Sequence, residues 1–556
     1  MTFKDEDERP IRAIRLLSAG ATFNSKLGHP GVPMGMAPVT HVLFSRFLRC
    51  SPAHPGWLNR DFWNGRACIL QYIMLHLLGY EITMDYLKNF RQLDSITPGH
   101  PENFETPGVE VTTGLLGQGI ANAVGLAIAQ AHTAAVFNRP GFSIDNFTYC
   151  FLGDGCLQEG VASEASSLAG HLQLGNLICI YDDNRISIDR NINCSFTEDV
   201  VKRYGSYGWH VLWVKTETQI WPRSRRPFNS THGVHGNPFK ADNIKQLKSK
   251  WGFNADEAFH VPEEVYKAYQ DRAAEGLAAK QTWGSLLAKR LTGTLPQGWE
   301  ADFPAFSPSD PTMATRNLSE TVLSNMHVII HELIGGLSDL TLDFQAPGLE
   351  DVLRDYSGLY LRYGVREHTM GAIMNGFAAY GIALLYGGTF LNFVSYAAGA
   401  ARLSALSRLR IICLATHDSM LWDKMDLHIS PSRHQCTSVR CPTVQSGDLP
   451  TETKQVPLIL SLILSYGAPR LRKLRGGYVV SESDSSADIT LVGTGSEVAL
   501  CVETAGYLSE QHGLKSCVVS LPCWEHGGLT HQQFGIDTFG ASFTKEGVAK
   551  RAIATI

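Results

Sequence analysis

The feature that constrains this chain most is a strand–helix–strand unit between residues 147 and 184. The run Phe147–Leu152 is apolar except for Thr148, and it ends in Gly153-Asp154-Gly155 before a helical stretch that begins near Glu159. A second apolar run, Asn176–Tyr181, ends in Asp182-Asp183-Asn184. Two apolar strands that are joined through a helix predict a parallel sheet buried on both faces.

The length of the chain and two later blocks of the same kind predict several domains. A chain of 556 residues exceeds what one hydrophobic core holds, so about three domains are expected. A second α/β block begins near Thr315, and a third begins at Gly476. We therefore predict an α/β protein with three doubly wound domains, the last of them the smallest. The predicted bounds are 1–282, 312–465 and 476–556, with a linker over 283–311.

Composition and charge exclude several classes of protein. The formal net charge of -5 gives no basic surface for nucleic acid or for an anionic membrane. A hydrophobic content of 44% is too high for a disordered chain. The 12 cysteines show no spacing typical of a disulfide framework, and residues 1–9 lack the apolar run of a signal peptide. We therefore predict a cytoplasmic protein with reduced thiols.

Asp154 and Asn184 are the first candidates for binding chemistry. Because the carboxyl ends of parallel strands meet at one edge of a sheet, these two side chains are expected to lie close together. Their oxygens suit Mg²⁺, Ca²⁺ or Mn²⁺ bound to phosphate, and Gly153 and Gly155 allow backbone amides to approach a diphosphate. A lone Gly-Asp-Gly sequence is more often only a turn, but its pairing with Asn184 favours a binding site.

Further motifs connect this site to a family. The sequence from Gly153-Asp-Gly-Cys-Leu-Gln-Glu-Gly160 through Asp183-Asn184 resembles the thiamine diphosphate motif of transketolases in their fungal form. The resemblance extends to Lys26–Gly31, Thr97–Glu102, Val111–Gly119, His232–Gly236, Ala314–Arg316, Tyr363–His368, Gly388–Tyr396, Gly493–Glu497 and Gln533–Asp537. It implies a diphosphate-binding domain at 1–282, a pyrimidine-binding domain at 312–465 and a smaller C-terminal α/β domain. It also implies a homodimer whose active site lies between the subunits.

The resemblance implies a role for each residue of the cofactor site. Glu367 would bind the aminopyrimidine of thiamine diphosphate and drive loss of the C2 proton. Phe390, Phe393 and Tyr396 would stack on the aminopyrimidine, although their spacing alone is more typical of a core stripe on one helix face. The other implied cofactor contacts are Gly114, Leu116, Gly153, Asp154, Gly155, Asn184, Asp339 and Arg66, and the implied metal ligands are Asp154, Asn184 and Ile186. Glu159 and Glu164 resemble carboxylates at the dimer interface.

The histidines are the acid–base candidates toward the sugar, because imidazole suits proton transfer near neutral pH. The resemblance implies catalytic roles for His29, His100 and His235, and it implies substrate contacts for His29, His235, His417 and Arg316. The guanidinium of Arg316 would bind a sugar phosphate. The implied reaction moves a two-carbon ketol unit from a ketose or ketose phosphate to an aldose through a C2 carbanion of the cofactor, as in the pentose phosphate pathway.

Several departures from the family pattern leave a second interpretation open. Where the family has a histidine after Ser-x-Gly, this chain has Arg66, which cannot act as a base near pH 7. The stretches Lys215–Ser230 and Met420–Arg475 do not follow the family pattern, and a substrate serine expected after Thr341 is missing. The alternative is a catalytically impaired homologue that acts as a binding or regulatory partner in a dimer.

Overall fold

A computed structural model describes residues 5–65, 68–140, 142–214, 237–283, 315–330, 332–339, 356–416, 478–481, 488–493, 497–520 and 553–555. Within 5–283 the described strands are β1 (Phe62–Gly65), β2 (Thr148–Gly153) and β3 (Leu177–Asp182). The helices there are α1 (Glu8–Ser25), α2 (Gly31–Val42), α3 (Cys68–Leu78), α4 (Met84–Lys88), α5 (Gln118–Phe137), α6 (Asp154–Gln158), α7 (Gly160–His171), α8 (Val200–Ser206), α9 (Ala241–Lys250) and α10 (Glu263–Thr282).

The first sheet is parallel and has the order β1-β2-β3. Side chains alternate along β2, so that Cys150 and Leu152 belong to one core cluster with α5 and α7. Tyr149 and Phe151 belong to the opposite cluster, with residues of α1, α2, α3 and α10. Strand β2 is therefore buried on both faces, as its apolar run predicts, whereas β3 is only partly buried and its Ile178 is 38% exposed.

The second sheet is also parallel and has the order β4-β5-β6. Its strands are β4 (Leu333–Leu337), β5 (Leu384–Phe390) and β6 (Ile411–Thr416), and the helices of this region are α11 (Thr315–Ile329), α12 (Glu367–Tyr380) and α13 (Ala398–Leu406). The apolar stretch Leu359–Tyr363 predicts a further strand, but in the structure Tyr360 forms only an isolated bridge to Gly335. Its neighbours bond the chain to β4 without building a ladder, since Leu361 donates to the Gly335 carbonyl at 2.7 Å.

Helices α5 and α12 join the two sheet regions into one core. A Cβ atom on Gly125 would lie 2.0 Å from the Ile373 carbonyl oxygen, and one on Gly376 would lie 1.9 Å from that of Asn122. The two glycines therefore allow backbone-to-backbone contact between the helices. By length and composition α5 could cross a membrane, but 72% of its most apolar window is buried inside the protein, which is typical of a core helix.

The C-terminal region contains a third sheet with the order β10-β8-β9-β7. Its elements are β7 (Tyr478–Ser481), β8 (Ile489–Gly493), α14 (Glu497–His512), β9 (Ser516–Ser520) and β10 (Ile553–Thr555). Strand β7 runs antiparallel to β9, whereas the other pairs are parallel. Leu491, Cys501 and Val518 form a small core of their own between sheet and helix. Three α/β sheet regions confirm the predicted fold class.

Candidate active site

The carboxyl edge of the first sheet collects the predicted metal and diphosphate residues. Asp154 directly follows β2 and is fully buried, and Asn184 lies two residues after β3. Because Gly153 is the register partner of Asp182, the two strand ends lie side by side. Arg66 follows the end of β1 but lies outside the described residues.

Hydrogen bonds within the protein orient the oxygen atoms at this edge that could bind a metal. One carboxylate oxygen of Asp154 accepts a short hydrogen bond from the Tyr181 hydroxyl, and the other accepts from the Arg185 amide at 2.9 Å. Asn184 donates its Nδ2 to Asp182 at 2.6 Å, and its Oδ1 accepts from the Ile186 amide at 3.0 Å. Carboxylate and amide oxygens each have a further lone pair, so this set fits a hard cation such as Mg²⁺.

Tyr181 is a functional candidate that sequence reasoning missed. Its ring belongs to the apolar run of β3, and nothing in the sequence distinguishes it from a core tyrosine. Burial and the hydrogen bond to Asp154 raise the pKa of its hydroxyl well above the usual value, so it remains a donor at neutral pH. The signal that could have found it is strand register, since Tyr181 is the residue before the register partner of Gly153.

The loop between residues 111 and 118 approaches this edge. Gly114 has a φ of +152°, and a Cβ there would lie 3.2 Å from Cγ of His100. A Cβ on Gly155 would lie 3.1 Å from Cδ1 of Leu116, whose side chain is 48% exposed. The structure thus brings four predicted site residues together around glycines. An exposed leucine beside glycine backbone can hold the apolar part of a flat ligand.

The predicted histidines are only partly described. Burial, and then the charge of Arg91, lower the pKa of His100, so its imidazole is neutral at pH 7. His29 is half-buried in the turn between α1 and α2. His235 and His417 lie outside the described residues, and Arg316 lies in α11 with its side chain outside them.

The carboxyl edge of the second sheet collects the predicted pyrimidine residues. Asp339 is exposed two residues after β4, and β6 ends at Thr416, directly before His417. Glu367 is half-buried and begins α12. The Ser338 hydroxyl accepts from the Arg366 amide at 2.9 Å and donates to the Gly364 carbonyl at 2.8 Å. This hydroxyl ties the end of β4 to the turn that presents Glu367.

The three predicted aromatic rings follow one another, but they do not lie on one face of an α-helix. Phe390 is the last residue of β5, and Phe393 and Tyr396 belong to a 3₁₀ helix at Leu391–Ala397. Phe390 stacks on Phe393 with centroids 5.3 Å apart, and Phe393 lies 6.4 Å from Tyr396. A 3₁₀ helix repeats every three residues, so a spacing of three aligns these rings where an α-helix would splay them.

Side chains of α5 and α7 contact the two residues that follow Glu367 in α12. Thr369 donates to Glu164 at 2.8 Å, and Gln118 Nε2 lies 2.6 Å from His368 Nε2. Burial lowers the pKa of His368, while the carboxylates of Glu164 and then Glu159 partly offset it. Among the described residues, the buried Oε1 of Gln118 and Oδ1 of Asn64 find no hydrogen-bond partner. Unpaired buried acceptors in this region fit a site built for a polar ligand.

Family models match most of the chain. The model described as the thiamine diphosphate binding domain of transketolase matches residues 6–223 and 223–300. The model for the transketolase pyrimidine binding domain matches 311–425, and that for a transketolase-like C-terminal domain matches 476–526.

Curated relatives and solved structures agree with the family models. Transketolase 1 of Saccharomyces cerevisiae is 45% identical over 670 aligned positions, covering 100% of this chain and 97% of the relative. Because that alignment is longer than the 556 residues of the chain, the relative contains segments that this chain lacks. Transketolase of Scheffersomyces stipitis is 44% identical, with 99% and 97% covered.

Two solved structures are similar over most of their length. Transketolase of Pichia stipitis in complex with sedoheptulose 7-phosphate has a TM-score of 0.87 at 44% identity, covering 96% of this chain and 89% of that one. Transketolase from Leishmania mexicana has a TM-score of 0.86 at 36% identity, covering 99% and 90%. Identity at this level over the whole chain supports the enzyme over the impaired dimer partner. The chain therefore belongs to the transketolase family of thiamine diphosphate-dependent enzymes.

Proposed function

We propose that this chain acts as a homodimer in the cytoplasm, in pentose phosphate metabolism, and transfers a two-carbon ketol unit from a ketose phosphate to an aldose. The observation that carries the proposal is the pair of sheet edges, one with Asp154 and Asn184 and the other with Glu367. The solved relative with bound sedoheptulose 7-phosphate supports a sugar phosphate as substrate. The domain bounds 1–282, 312–465 and 476–556 and the linker 283–311 belong to this proposal.

The first edge would hold the metal and the diphosphate. Asp154, the Asn184 side chain and the main-chain carbonyl of Ile186 would bind Mg²⁺, and Gly153 and Gly155 leave room for phosphate oxygens. Ile186 pairs with Asn191 in an isolated bridge, which fixes the backbone at this ligand. Arg66 would add a positive charge toward the diphosphate. Gly114, Leu116 and Asp339 would border the rings of the cofactor, and Phe390, Phe393 and Tyr396 would stack on the aminopyrimidine.

Glu367 would hold a proton at N1′ of the aminopyrimidine. Thiamine diphosphate, when bound, supplies the nucleophilic carbon that accepts the ketol unit. A half-buried carboxyl group at the start of α12, held by the Arg366 turn, is suited to a short hydrogen bond with a ring nitrogen. The neutral imidazole of His100, with His29 and His235, would bind and exchange protons with sugar hydroxyls. Arg316 and His417 would bind the sugar phosphate.

Replacing Glu367 by Gln tests this assignment. The amide still hydrogen-bonds N1′ but cannot exchange its proton, so we expect C2 hydrogen–deuterium exchange of bound thiamine diphosphate to slow at least about a hundredfold. Transfer from a ketose phosphate to ribose 5-phosphate should fall in parallel, while calorimetry should show unchanged cofactor affinity. The matched control is Glu263→Gln at an exposed helix start, which should alter neither rate. An unchanged exchange rate in Glu367→Gln would remove Glu367 from this role.

A further inference from the structure

Two cysteines lie side by side on neighbouring strands of the first sheet. Cys150 lies in β2 and Cys179 in β3, and the two are register partners in neighbouring parallel strands. Strands in a sheet lie about 4.8 Å apart, within the range of about 4.4–6.8 Å that joins the Cα atoms of a disulfide. Register partners point to the same face, and both thiols pack against the cluster formed with α5 and α7. The backbone therefore already meets the distance requirement of a disulfide.

The two thiols differ in accessibility. The neighbouring Cys179 side chain, and then burial, raise the pKa of the Cys150 thiol above its usual value. Cys150 is 1% exposed, whereas Cys179 is partly exposed. A small oxidant reaches Cys179 first, and Cys150 is the thiol in contact with it.

We propose that Cys150 and Cys179 are a reversible modification site that forms a disulfide in response to a peroxide. The Cys179 thiolate attacks one peroxide oxygen, the O–O bond breaks, and Cys179 becomes a sulfenic acid as water leaves. The sulfur of Cys150 then attacks the sulfenic sulfur, the S–S bond forms, and the hydroxyl leaves as water with the proton of Cys150. Two thiols lose two electrons, and the peroxide is reduced to two waters. A dithiol reductant reverses the change by exchange.

The disulfide would act on the metal edge, a consequence that rests on the proposed metal site. Asp154 lies four residues after Cys150, directly beyond the end of β2, and Asn184 lies five residues after Cys179, two residues beyond the end of β3. The preferred Cα separation of a disulfide, about 5.5–6 Å, is longer than the strand spacing of about 4.8 Å, so formation of the bond moves the two strands slightly apart at this point. The hydrogen bond from Tyr181 to Asp154 spans the same two strands. Its geometry therefore changes when the disulfide forms, and Mg²⁺ binding weakens.

Mass spectrometry tests the disulfide itself. The protein is treated with hydrogen peroxide, alkylated and digested without reductant, and we expect a peptide that links Cys150 to Cys179. Cys150→Ala and Cys179→Ser should abolish this peptide. Cys194→Ser, which changes an exposed cysteine, should leave it intact. Thermal unfolding checks that the variants fold. Further oxidation of Cys179 to sulfinic acid, with Cys150 still free to be alkylated after unfolding, would overturn the proposal.

Calorimetric Mg²⁺ titration in the presence of thiamine diphosphate tests the consequence. We expect peroxide treatment to weaken Mg²⁺ binding about tenfold. Loss of a hydrogen-bond partner of a metal ligand commonly reduces metal affinity by about 10–100-fold, and a displaced partner should lie at the low end of this range. Dithiothreitol should restore the affinity, and Cys150→Ala should not respond to peroxide. Equal affinity of the reduced and cross-linked protein would overturn the link to the metal. Absence of Mg²⁺ binding in the reduced protein would contradict the proposed metal site instead, while the mass measurement still decides the disulfide.

Discussion

Tyr181 shows how a single hydroxyl group orders the proposed metal site. A fully buried carboxylate is costly unless each of its oxygens is hydrogen-bonded. Asp154 meets this requirement with one donor from the Tyr181 side chain and one from the Arg185 main chain. Both donors come from β3 or the turn that follows it. The strand that leads to Asn184 therefore also sets the direction of the Asp154 carboxylate.

We expect Tyr181→Phe to weaken Mg²⁺ binding in the presence of thiamine diphosphate by about 10–100-fold, because partners of metal ligands commonly contribute that much. Ring packing in β3 is kept, so thermal stability should change little. Calorimetric titration measures the affinity, and saturating Mg²⁺ should restore most of kcat, which separates positioning from catalysis. Tyr507→Phe, at an exposed tyrosine of α14, is the control. Unchanged Mg²⁺ affinity in Tyr181→Phe would contradict the role.

Glu110 is a buried carboxyl group that the proposed reaction does not use. Burial raises its pKa from the ordinary 4.5 to about 7, against the opposing charge of Arg60 at 3.5 Å. Between these two pH values the folded protein binds more protons than the unfolded chain. Stability contributed by the neutral carboxyl is therefore present below pH 4.5 and is lost as pH rises through 7.

We expect Glu110→Gln to remove this part of the pH dependence. Between pH 5 and pH 8, the free energy of unfolding of the variant relative to wild type should rise by about 1–3 kcal/mol, since each pKa unit corresponds to about 1.4 kcal/mol. Urea unfolding at a series of pH values measures it. Loss of the Arg60 contact shifts the whole curve and does not affect the slope. Parallel curves for wild type and variant would rule out the raised pKa.

A site residue can be found from the sequence when its position follows from local sequence, and not when its role depends on contacts between different segments. Asp154, Asn184 and Glu367 can be found from the sequence because they stand at strand or helix ends marked by glycines or by a motif. The role of Tyr181 depends on strand register, and the approach of His100 to Gly114 depends on how the connection between α4 and α5 folds back on itself. Such pairings are set by tertiary packing, and no local pattern records them.

At the scale of elements, the packing of α5 on α12 fixes where Glu367 is presented. Gly125 and Gly376 place the backbones of the two helices in direct contact. The hydrogen-bonded pairs Gln118–His368 and Glu164–Thr369 lie at the N-terminal end of α12. A change in the separation of these helices would therefore displace the Arg366-Glu367 turn.

We expect Gly376→Ala to destabilise the protein by about 1–3 kcal/mol or more, because the added methyl group meets the Asn122 carbonyl and a rigid helix must move. Gly35→Ala is the matched control, since this glycine lies exposed in α2 with nothing near its Cβ position. The control should gain up to about 1 kcal/mol from helix propensity. Thermal unfolding compares the two, and equal stabilities of the two variants would contradict the helix contact.

The strands of the first two sheets were more predictable than their connections. The runs Phe147–Leu152, Asn176–Tyr181, Ala383–Tyr386 and Ile411–Ala415 are mostly apolar and predict β2, β3, β5 and β6 to within a few residues, because a parallel strand that is buried on both faces has few alternatives. No such run predicts β1 or β4. The spacing of three residues between Phe390, Phe393 and Tyr396 is compatible with one face of an α-helix and also with a 3₁₀ helix. The structure has a 3₁₀ helix at Leu391–Ala397, and the sequence alone does not distinguish the two kinds of helix. The apolar content of Leu359–Tyr363 also predicts a strand, but in the structure this segment forms an isolated bridge to β4 and not a full strand pairing.

At the scale of the whole molecule, each chain carries two separate parts of the proposed site. The edge with Asp154 and Asn184 belongs to the first sheet, and the edge with Glu367 and Phe390 belongs to the second. In the proposed homodimer, which has twofold symmetry, each of the two sites would take the first edge from one chain and the second edge from its partner. Two variants that damage different edges should therefore complement each other, whereas sites built within single chains would not.

We expect a mixed dimer of Asp154→Ala and Glu367→Gln chains, purified through two different affinity tags, to have about half of the wild-type transfer activity. If each site is shared between the two chains, both changes fall in one site and the other site is intact. If each site lies within one chain, each site carries one damaging change and the mixed dimer is inactive. A mixed dimer of wild-type and Asp154→Ala chains calibrates the assay, since it keeps one intact site in either arrangement. Transfer from a ketose phosphate to ribose 5-phosphate is measured for the two mixed dimers and for the wild-type homodimer, with the Asp154→Ala and Glu367→Gln homodimers as the baseline. A mixed dimer as inactive as its parents, beside an active calibration dimer, would place each site within one chain.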